Sequence, residues 1–163
     1  MLMLPETGAS SRPRELGSEL PKSERADVAP SCCLRGKRVV IAEDQGVTQL
    51  HLRRILESKG MDVVGTAANG RDAIEVVLRT RPSLVLMDVQ MPVMDGLEAS
   101  RYILDLFRVC IVMLTAYTEI KHQEEALLIG AVGYVIKPVT AATLVPQLDA
   151  ALRKFLSNND QAS

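Results

Sequence analysis

The sequence lacks a long hydrophobic run, an export signal and an excess of one charge. No stretch reaches the ~18 apolar residues of a membrane-spanning helix. Residues 1–36 have neither the charged start nor the apolar segment of a signal peptide. The formal net charge is −1, and acidic and basic residues are mixed along the chain. We therefore expect a cytoplasmic protein with no membrane contact and no electrostatic surface for nucleic acid.

Cysteine and histidine are scarce and are not spaced as metal ligands. Cys32 and Cys33 are adjacent and Cys110 is distant, so they predict neither a disulfide framework nor a zinc site, and they fit a reducing compartment. His51 and His122 stand among charged residues at helical spacing, which favours solvated helix faces. We expect neither histidine to take part in the chemistry.

Two common ligand-binding motifs are also absent. There is no Gly-x₄-Gly-Lys-[Ser/Thr] loop, so direct use of ATP is not expected. The segment from Asp88 to Gly96 is not an EF-hand, because Val89, Met91 and Val93 offer no side-chain oxygen and no closing Glu follows.

The order of apolar and polar segments predicts one domain with two flanking pieces. Residues 1–36 are rich in Ser, Pro, Arg and Glu without an apolar period, which is typical of a disordered extension; a start codon assigned too early would also explain them. Residues 37–156 form the predicted domain, and residues 157–163 a short flexible tail.

Within that domain, short apolar runs alternate with amphipathic segments. This pattern predicts an α/β fold, a doubly wound five-stranded parallel sheet with five helices. The predicted strands are Val39–Ala42, Val63–Thr66, Leu84–Met87, Cys110–Leu114 and Gly133–Ile136. The predicted helices are Thr48–Ser58, Gly70–Arg79, Leu97–Leu106, Ile120–Ile129 and Ala141–Leu156.

Polar side chains follow four of these strands directly. They are Glu43 and Asp44, Asp88, Thr115, and Lys137. One acidic residue after a strand is usually a helix cap or a loop residue, but that explanation does not account for the whole set. Because the carboxyl ends of parallel strands meet at one edge, we expect these side chains to form a site there.

The residue types in this site fit phosphoryl transfer. Three converging carboxylates repel one another unless a cation is bound, and Mg²⁺ is a suitable hard cation. Asp88 can then attack a phosphoryl group in line. The ammonium of Lys137 and the hydroxyl of Thr115 can contact the phosphoryl oxygens.

The chain resembles the receiver domains of two-component response regulators from about Lys37 to Leu156. The resemblance rests on motifs in the family's order and at its intervals: Val-Ile-Ala-Glu43-Asp44, Leu-Met-Asp88-Val-Gln-Met-Pro92-Val-Met-Asp95-Gly96, Leu-Thr115-Ala116 and Gly133-Tyr134-Val-Ile-Lys137-Pro138. It implies a flavodoxin-like sheet with strand order 2-1-3-4-5.

The resemblance also implies the roles of individual residues. Asp88 is the phosphorylated residue, and Mg²⁺ is bound by Glu43, Asp44, Asp88 and the backbone carbonyl of Gln90. Thr115 and Tyr134 form a switch pair, and Lys137 is the lysine of the site, followed by a cis bond to Pro138.

Flanking residues carry expectations with open alternatives. Ala116 leaves the phosphoryl donor room to enter, or it only fills the core. Tyr117 shields the phosphoryl group from water, or it points outward, and the Gln90 amide either orients a water or only occupies space. Gly96 lets the loop after Asp88 turn tightly or adopt a positive φ, or it is an ordinary helix-start glycine.

The expected function is a phospho-aspartate switch that catalyses its own phosphorylation and dephosphorylation, rather than a conventional enzyme. Its donor is a sensor histidine kinase or a phosphotransfer protein, and its output is a downstream protein target. The surface altered is the face of the fourth helix, fifth strand and fifth helix, which could also form a homodimer. A weaker likeness links the chain to receivers that precede an antitermination-type RNA-binding domain. The residues after Leu156 are too few to encode such a domain, so RNA binding is not expected.

Two alternatives belong to other functional classes. A degenerate receiver would act as a phosphorylation-independent interaction module, but such proteins usually lack part of the residue set found here. A hydrolase with aspartyl-phosphate chemistry would need an acid/base Asp two residues after the nucleophile, where this chain has Gln90.

Overall fold

A computed structural model describes residues 33–116 and 120–162, and in them five strands alternate with five helices. The strands are β1 (Arg38–Ala42), β2 (Asp62–Ala67), β3 (Leu84–Asp88), β4 (Cys110–Thr115) and β5 (Gly133–Ile136). The helices are α1 (Gly46–Ser58), α2 (Gly70–Thr80), α3 (Gly96–Leu106), α4 (Ile120–Leu128) and α5 (Ala141–Ala162). All strand pairs are parallel, and the order is β2-β1-β3-β4-β5. The predicted doubly wound, flavodoxin-like fold is confirmed.

Both faces of the sheet are covered by helices. Every residue of β3 and β4 is buried, as expected for strands that have helices on both sides. One hydrophobic cluster joins the sheet to α1 and α5 and includes Leu52, Leu56 and Leu148. The other joins it to α2 and α3 and includes Val77 and Ile103. Packing on two sides fixes the central strands whose ends carry the polar residues.

Three helices begin directly after a residue whose side chain caps a backbone N–H group of the first turn. Asn69 accepts a hydrogen bond from the Asp72 N–H at 2.9 Å, and Asp95 accepts one from the Glu98 N–H at 2.8 Å. At the start of α5, Thr140 Oγ1 accepts from the Thr143 N–H at 3.2 Å. These caps satisfy amides that have no partner inside the helix.

The predicted outer boundaries differ from the structure at both ends. Leu34 is fully buried in the cluster beside α1 and α5, and the Gly36 N–H donates to the Gly60 carbonyl at 2.8 Å. The packed domain thus begins before Gly36. The sequence did not predict this start, because a single leucine forms no apolar period. Helix α5 continues to Ala162, through the segment predicted as a flexible tail, because extending an established helix requires little further ordering. The rest of the predicted extension, residues 1–32, lies outside the described residues.

The structure also shows the state of two cysteines and the character of the helices. Cys33 and Cys110 are free thiols, and burial raises the pKa of Cys110 to about 12. Among the described residues, no helix has both the length and the apolar character needed to cross a bilayer.

Candidate functional site

The strand register brings the predicted polar residues to one edge of the sheet. Asp88, the last residue of β3, pairs with Leu114 of β4, and Thr115, the last residue of β4, pairs with Ile136 of β5. Glu43 directly follows β1 and Lys137 directly follows β5. Four strand ends therefore supply the side chains of one site.

Three carboxylates form the acidic part of this site. One oxygen from each of Glu43, Asp44 and Asp88 lies within 4.8 Å of the others. Glu43 is fully buried and Asp88 is 5% exposed, whereas Asp44 is exposed. The cluster thus has two members inside the fold and one facing solvent, where a cation could enter.

Lys137 lies between the two buried carboxylates. Its Nζ is 2.8 Å from Asp88 Oδ2 and 2.8 Å from Glu43 Oε2. The backbone N–H of Lys137 donates to the Thr115 carbonyl at 2.8 Å, which ties the start of the loop after β5 to the end of β4. The ammonium neutralises part of the negative charge that the strand ends bring together.

Burial and pairing act on the pKa values in opposite directions. Burial raises the pKa of Glu43 above its ordinary value, although hydrogen bonds from Lys137 and the Gln45 N–H lower it. Burial alone would lower the pKa of Lys137, but the neighbouring Asp88 and Glu43 carboxylates outweigh it and raise that pKa. Lys137 therefore stays charged in the site.

A small open cavity of about 180 Å³ leads to Asp88. It is lined by Asp44, Gln45, Asp88, Gln90, Ala116 and Lys137. Asp88 Oδ1 accepts a hydrogen bond from the Gln90 N–H at 3.2 Å. The small side chain of Ala116 forms part of the wall.

The loop between β3 and α3 holds the back of Asp88 in place. The Gly96 N–H donates to the Val89 carbonyl at 2.8 Å, and a Cβ at Gly96 would lie 2.0 Å from the Asp88 carbonyl oxygen. Close approach, rather than a positive φ, thus explains this glycine. The positive φ of the loop, 71°, belongs instead to Val93. The sequence did not reveal it, because β-branched residues rarely adopt that conformation.

The predicted switch pair lies on one face of the sheet. Thr115 is 1% exposed, and its hydroxyl donates to the Ala116 carbonyl at 3.3 Å. Tyr134 pairs with Met113, two residues before Thr115, and side chains two apart along a strand share a face. Tyr134 is half-buried there. Tyr117, the other predicted flanking aromatic, lies outside the described residues, whereas the Lys137–Pro138 bond is cis as expected.

Two α1 residues for which the sequence predicted no functional role contact the borders of the site. Gln49 donates to the carbonyls of Glu43, at 3.0 Å, and Ala67, at 3.3 Å. His51 was expected on a solvated face and is exposed, yet its Nε2 also lies 3.0 Å from the Val139 carbonyl oxygen. Polar residues at exposed helical spacing gave no signal for either contact.

Comparison with known families matches residues 39–149 to the response regulator receiver domain. The chain belongs to this family. The receiver is 36% identical over 119 residues to the transcriptional regulatory protein PdtaR of Mycobacterium tuberculosis, covering 73% of this chain and 58% of PdtaR. It is 40% identical over 103 residues to a protein-glutamate methylesterase/protein-glutamine glutaminase of Archaeoglobus fulgidus, covering 62% of this chain and 30% of that protein.

Solved structures agree with the receiver fold. The response regulator domain of Thermotoga maritima CheB has a TM-score of 0.65 and 30% identity, with coverage of 76% of this chain and 98% of that one. The signal receiver domain of a modulated diguanylate cyclase from Desulfovibrio desulfuricans has a TM-score of 0.69 and 29% identity, with the same coverage. The alignment thus covers 98% of each of these two receiver-domain structures. In contrast, the chain spans 58% or less of the length of the two curated relatives above.

Proposed function

We propose that this receiver is a Mg²⁺-dependent switch phosphorylated on Asp88 by a histidine kinase or phosphotransfer protein. The observation that carries the proposal is the position of Lys137 Nζ, 2.8 Å from both Asp88 and Glu43, beside a cavity that opens onto Asp88. The family supports phospho-aspartate signalling in general.

The donor set fits Mg²⁺. Three carboxylates with oxygens within 4.8 Å of one another supply hard, negatively charged ligands, and Mg²⁺ usually takes one or two carboxylates and keeps several waters. Glu43, Asp44, Asp88 and the Gln90 carbonyl would hold the ion. When bound, Mg²⁺ neutralises charge on the carboxylates and on the incoming phosphoryl oxygens.

Asp88 then acts as the nucleophile. Its carboxylate oxygen attacks phosphorus in line, the P–N bond of a phosphohistidine breaks, and the imidazole nitrogen leaves with the bonding electrons. The ammonium of Lys137 already pairs with Asp88, so it contacts the negatively charged phosphoryl oxygens once the group is attached there. Thr115 contributes its hydroxyl, which gives up its 3.3 Å hydrogen bond to the Ala116 carbonyl.

The switch couples the site to a distant face. A phosphoryl group brings new acceptor oxygens that draw the Thr115 hydroxyl inward and free space on its side of the sheet. Tyr134, half-buried on the same face, moves into that space. The surface of α4, β5 and α5 then changes, and it serves a downstream protein or a second copy of the receiver.

The cellular setting is part of the same proposal. We place the receiver in the cytoplasm, where histidine kinases present their phosphoryl groups. PdtaR is described as a transcriptional regulatory protein, but RNA or DNA binding is not carried over to this chain. The alternative, a phosphorylation-independent module, is disfavoured because Glu43, Asp44, Asp88, Thr115 and Lys137 are all present.

Incubation with acetyl phosphate and Mg²⁺, followed by intact mass measurement, tests the proposal. The expected result is a gain of one phosphoryl group that requires Mg²⁺ and is lost in Asp88→Asn. Asp95→Asn is the matched control, since Asp95 caps α3 and should leave the gain intact. A wild type that gains no mass, or an Asp88→Asn variant that still does, contradicts the assignment.

A further inference from the structure

The loop that follows Lys137 is held from two sides. On the β4 side, the Lys137 N–H donates to the Thr115 carbonyl at 2.8 Å. On the other side, His51 of α1 contacts the Val139 carbonyl oxygen through Nε2 at 3.0 Å. Pro138 between them is exposed and has no N–H to donate. The contact of His51 therefore ties the loop to α1 two residues after Lys137, which bears the ammonium.

The chemistry of this contact has one direction. A carbonyl oxygen only accepts, so His51 Nε2 must carry the proton and donate it. The bond spans 88 positions of the chain and joins α1 to the loop between β5 and α5. Val139 is 7% exposed, and its side chain packs in the cluster beside α1 and α5. The residue whose carbonyl accepts the hydrogen bond is therefore itself held in place.

The groove beside this contact connects it to the site. Val47, Thr48, His51, Lys137, Pro138 and Val139 line one continuous depression. The Lys137 side chain reaches from this depression to Asp88 and Glu43 at 2.8 Å each. A shift of the loop away from α1 would move the root of that side chain while the carboxylates stay on β1 and β3.

We propose that His51 is a positioning residue for phosphorylation, which fixes the loop so that the Lys137 ammonium meets the incoming phosphoryl group. The inference rests on the proposed function at Asp88. His51 touches neither the phosphoryl group nor the carboxylates; it acts through the loop backbone. His51 is not one of the metal ligands, so at saturating Mg²⁺ its effect falls on the rate of transfer.

The test compares His51→Leu, which keeps bulk without a donor, with His51→Gln, whose amide nitrogen can reach the same carbonyl. Arg54→Leu, an exposed α1 residue one turn further on, is the matched control. Each full-length variant is phosphorylated with acetyl phosphate at saturating Mg²⁺, a small donor that needs no protein docking. Backbone amide exchange of residues 136–141 and Mg²⁺ titration calorimetry are measured on the unphosphorylated proteins.

We expect His51→Leu to slow phosphorylation about three- to tenfold, the effect of one hydrogen bond. His51→Gln should restore most of the rate, and amide exchange should be faster in His51→Leu alone. Mg²⁺ titration calorimetry gives the dissociation constant of each variant, so that every rate is measured with the metal site saturated.

Unchanged exchange in His51→Leu would show that the loop is not held by this residue and overturns the inference. Faster exchange with an unchanged rate overturns it too, because the anchor would then be structural only. A wild type that takes up no phosphoryl group defeats the proposed function instead, and the exchange data still decide whether His51 holds the loop.

Discussion

Lys137 occupies the place where negative charge would otherwise be unbalanced. Glu43 is fully buried, and burying an unpaired carboxylate is strongly unfavourable. The ammonium at 2.8 Å offsets this, and it does the same for Asp88. A divalent cation would supply the same neutralisation from the solvent side, next to the exposed Asp44. At the scale of residues, Lys137 and a bound divalent cation would therefore neutralise the same carboxylates in the unphosphorylated protein.

Lys137→Met should make the receiver depend on Mg²⁺ for stability. Methionine keeps most of the side-chain length but removes the charge and its hydrogen bonds, so the free energy of unfolding without metal should fall by about 2 kcal/mol. Mg²⁺ should then raise the melting temperature more in Lys137→Met than in the wild type, because it relieves a larger repulsion. Thermal unfolding with and without Mg²⁺ measures both effects.

Lys154→Met removes an exposed lysine of α5 and serves as the control; it should behave as the wild type. An equal Mg²⁺-induced shift in Lys137→Met and wild type would show that lysine and metal do not share the carboxylates.

At the scale of elements, the sequence predicted the parts whose patterns are locally repeated. Buried strands such as β3 are continuous apolar runs, and Asn69 and Asp95 are residue types that commonly cap the start of a helix. The predicted element positions therefore agree with the structure within a few residues. The convergence of Glu43, Asp88 and Lys137 followed from strand ends meeting at one edge. Contacts between distant segments could not be predicted this way, because nothing near His51 in the sequence refers to Val139.

The β3–α3 loop holds another feature without a sequence signal. Val93 has φ 71°, and the Met94 N–H donates to the Pro92 carbonyl at 2.7 Å, so Val93 is the centre of a tight turn. Its side chain is 76% exposed and packs little. A β-branched residue in this conformation is strained by about 1–3 kcal/mol.

Val93→Gly should therefore stabilise the receiver. Glycine removes the strain but loses about 0.5–1 kcal/mol through its greater freedom when unfolded, so the net gain should be about 1 kcal/mol. Urea unfolding monitored by circular dichroism gives the difference. Val47→Gly, at an equally exposed position inside α1, should do the opposite, since glycine disfavours helix. Loss of stability in both variants would mean that Val93 is not strained.

At the scale of the whole molecule, one hydrophobic cluster connects the start of the described chain to its last helix. It includes Leu34 together with Leu52 of α1 and Leu148 of α5. The same cluster contains Val139, whose carbonyl contacts His51, so the packing that closes the fold also lies beneath the loop of Lys137. The segment expected to be disordered up to Gly36 thus includes one residue of this core, Leu34.

Shortened chains should separate the two parts of that segment. A chain that begins at Cys33 should keep the wild-type free energy of unfolding, whereas one that begins at Lys37 should lose about 3 kcal/mol, because removing a buried leucine leaves a cavity in the core. Leu34→Ala in the full chain should lose a similar amount, and Leu128→Ala, whose side chain is 86% exposed, should lose less than about 0.5 kcal/mol. Urea unfolding of the wild type and these four proteins measures the differences, and acetyl phosphate labelling checks that the chain beginning at Cys33 still accepts a phosphoryl group. If the chain beginning at Lys37 were as stable as the one beginning at Cys33, Leu34 would not belong to the core and the domain would begin where its sequence pattern begins.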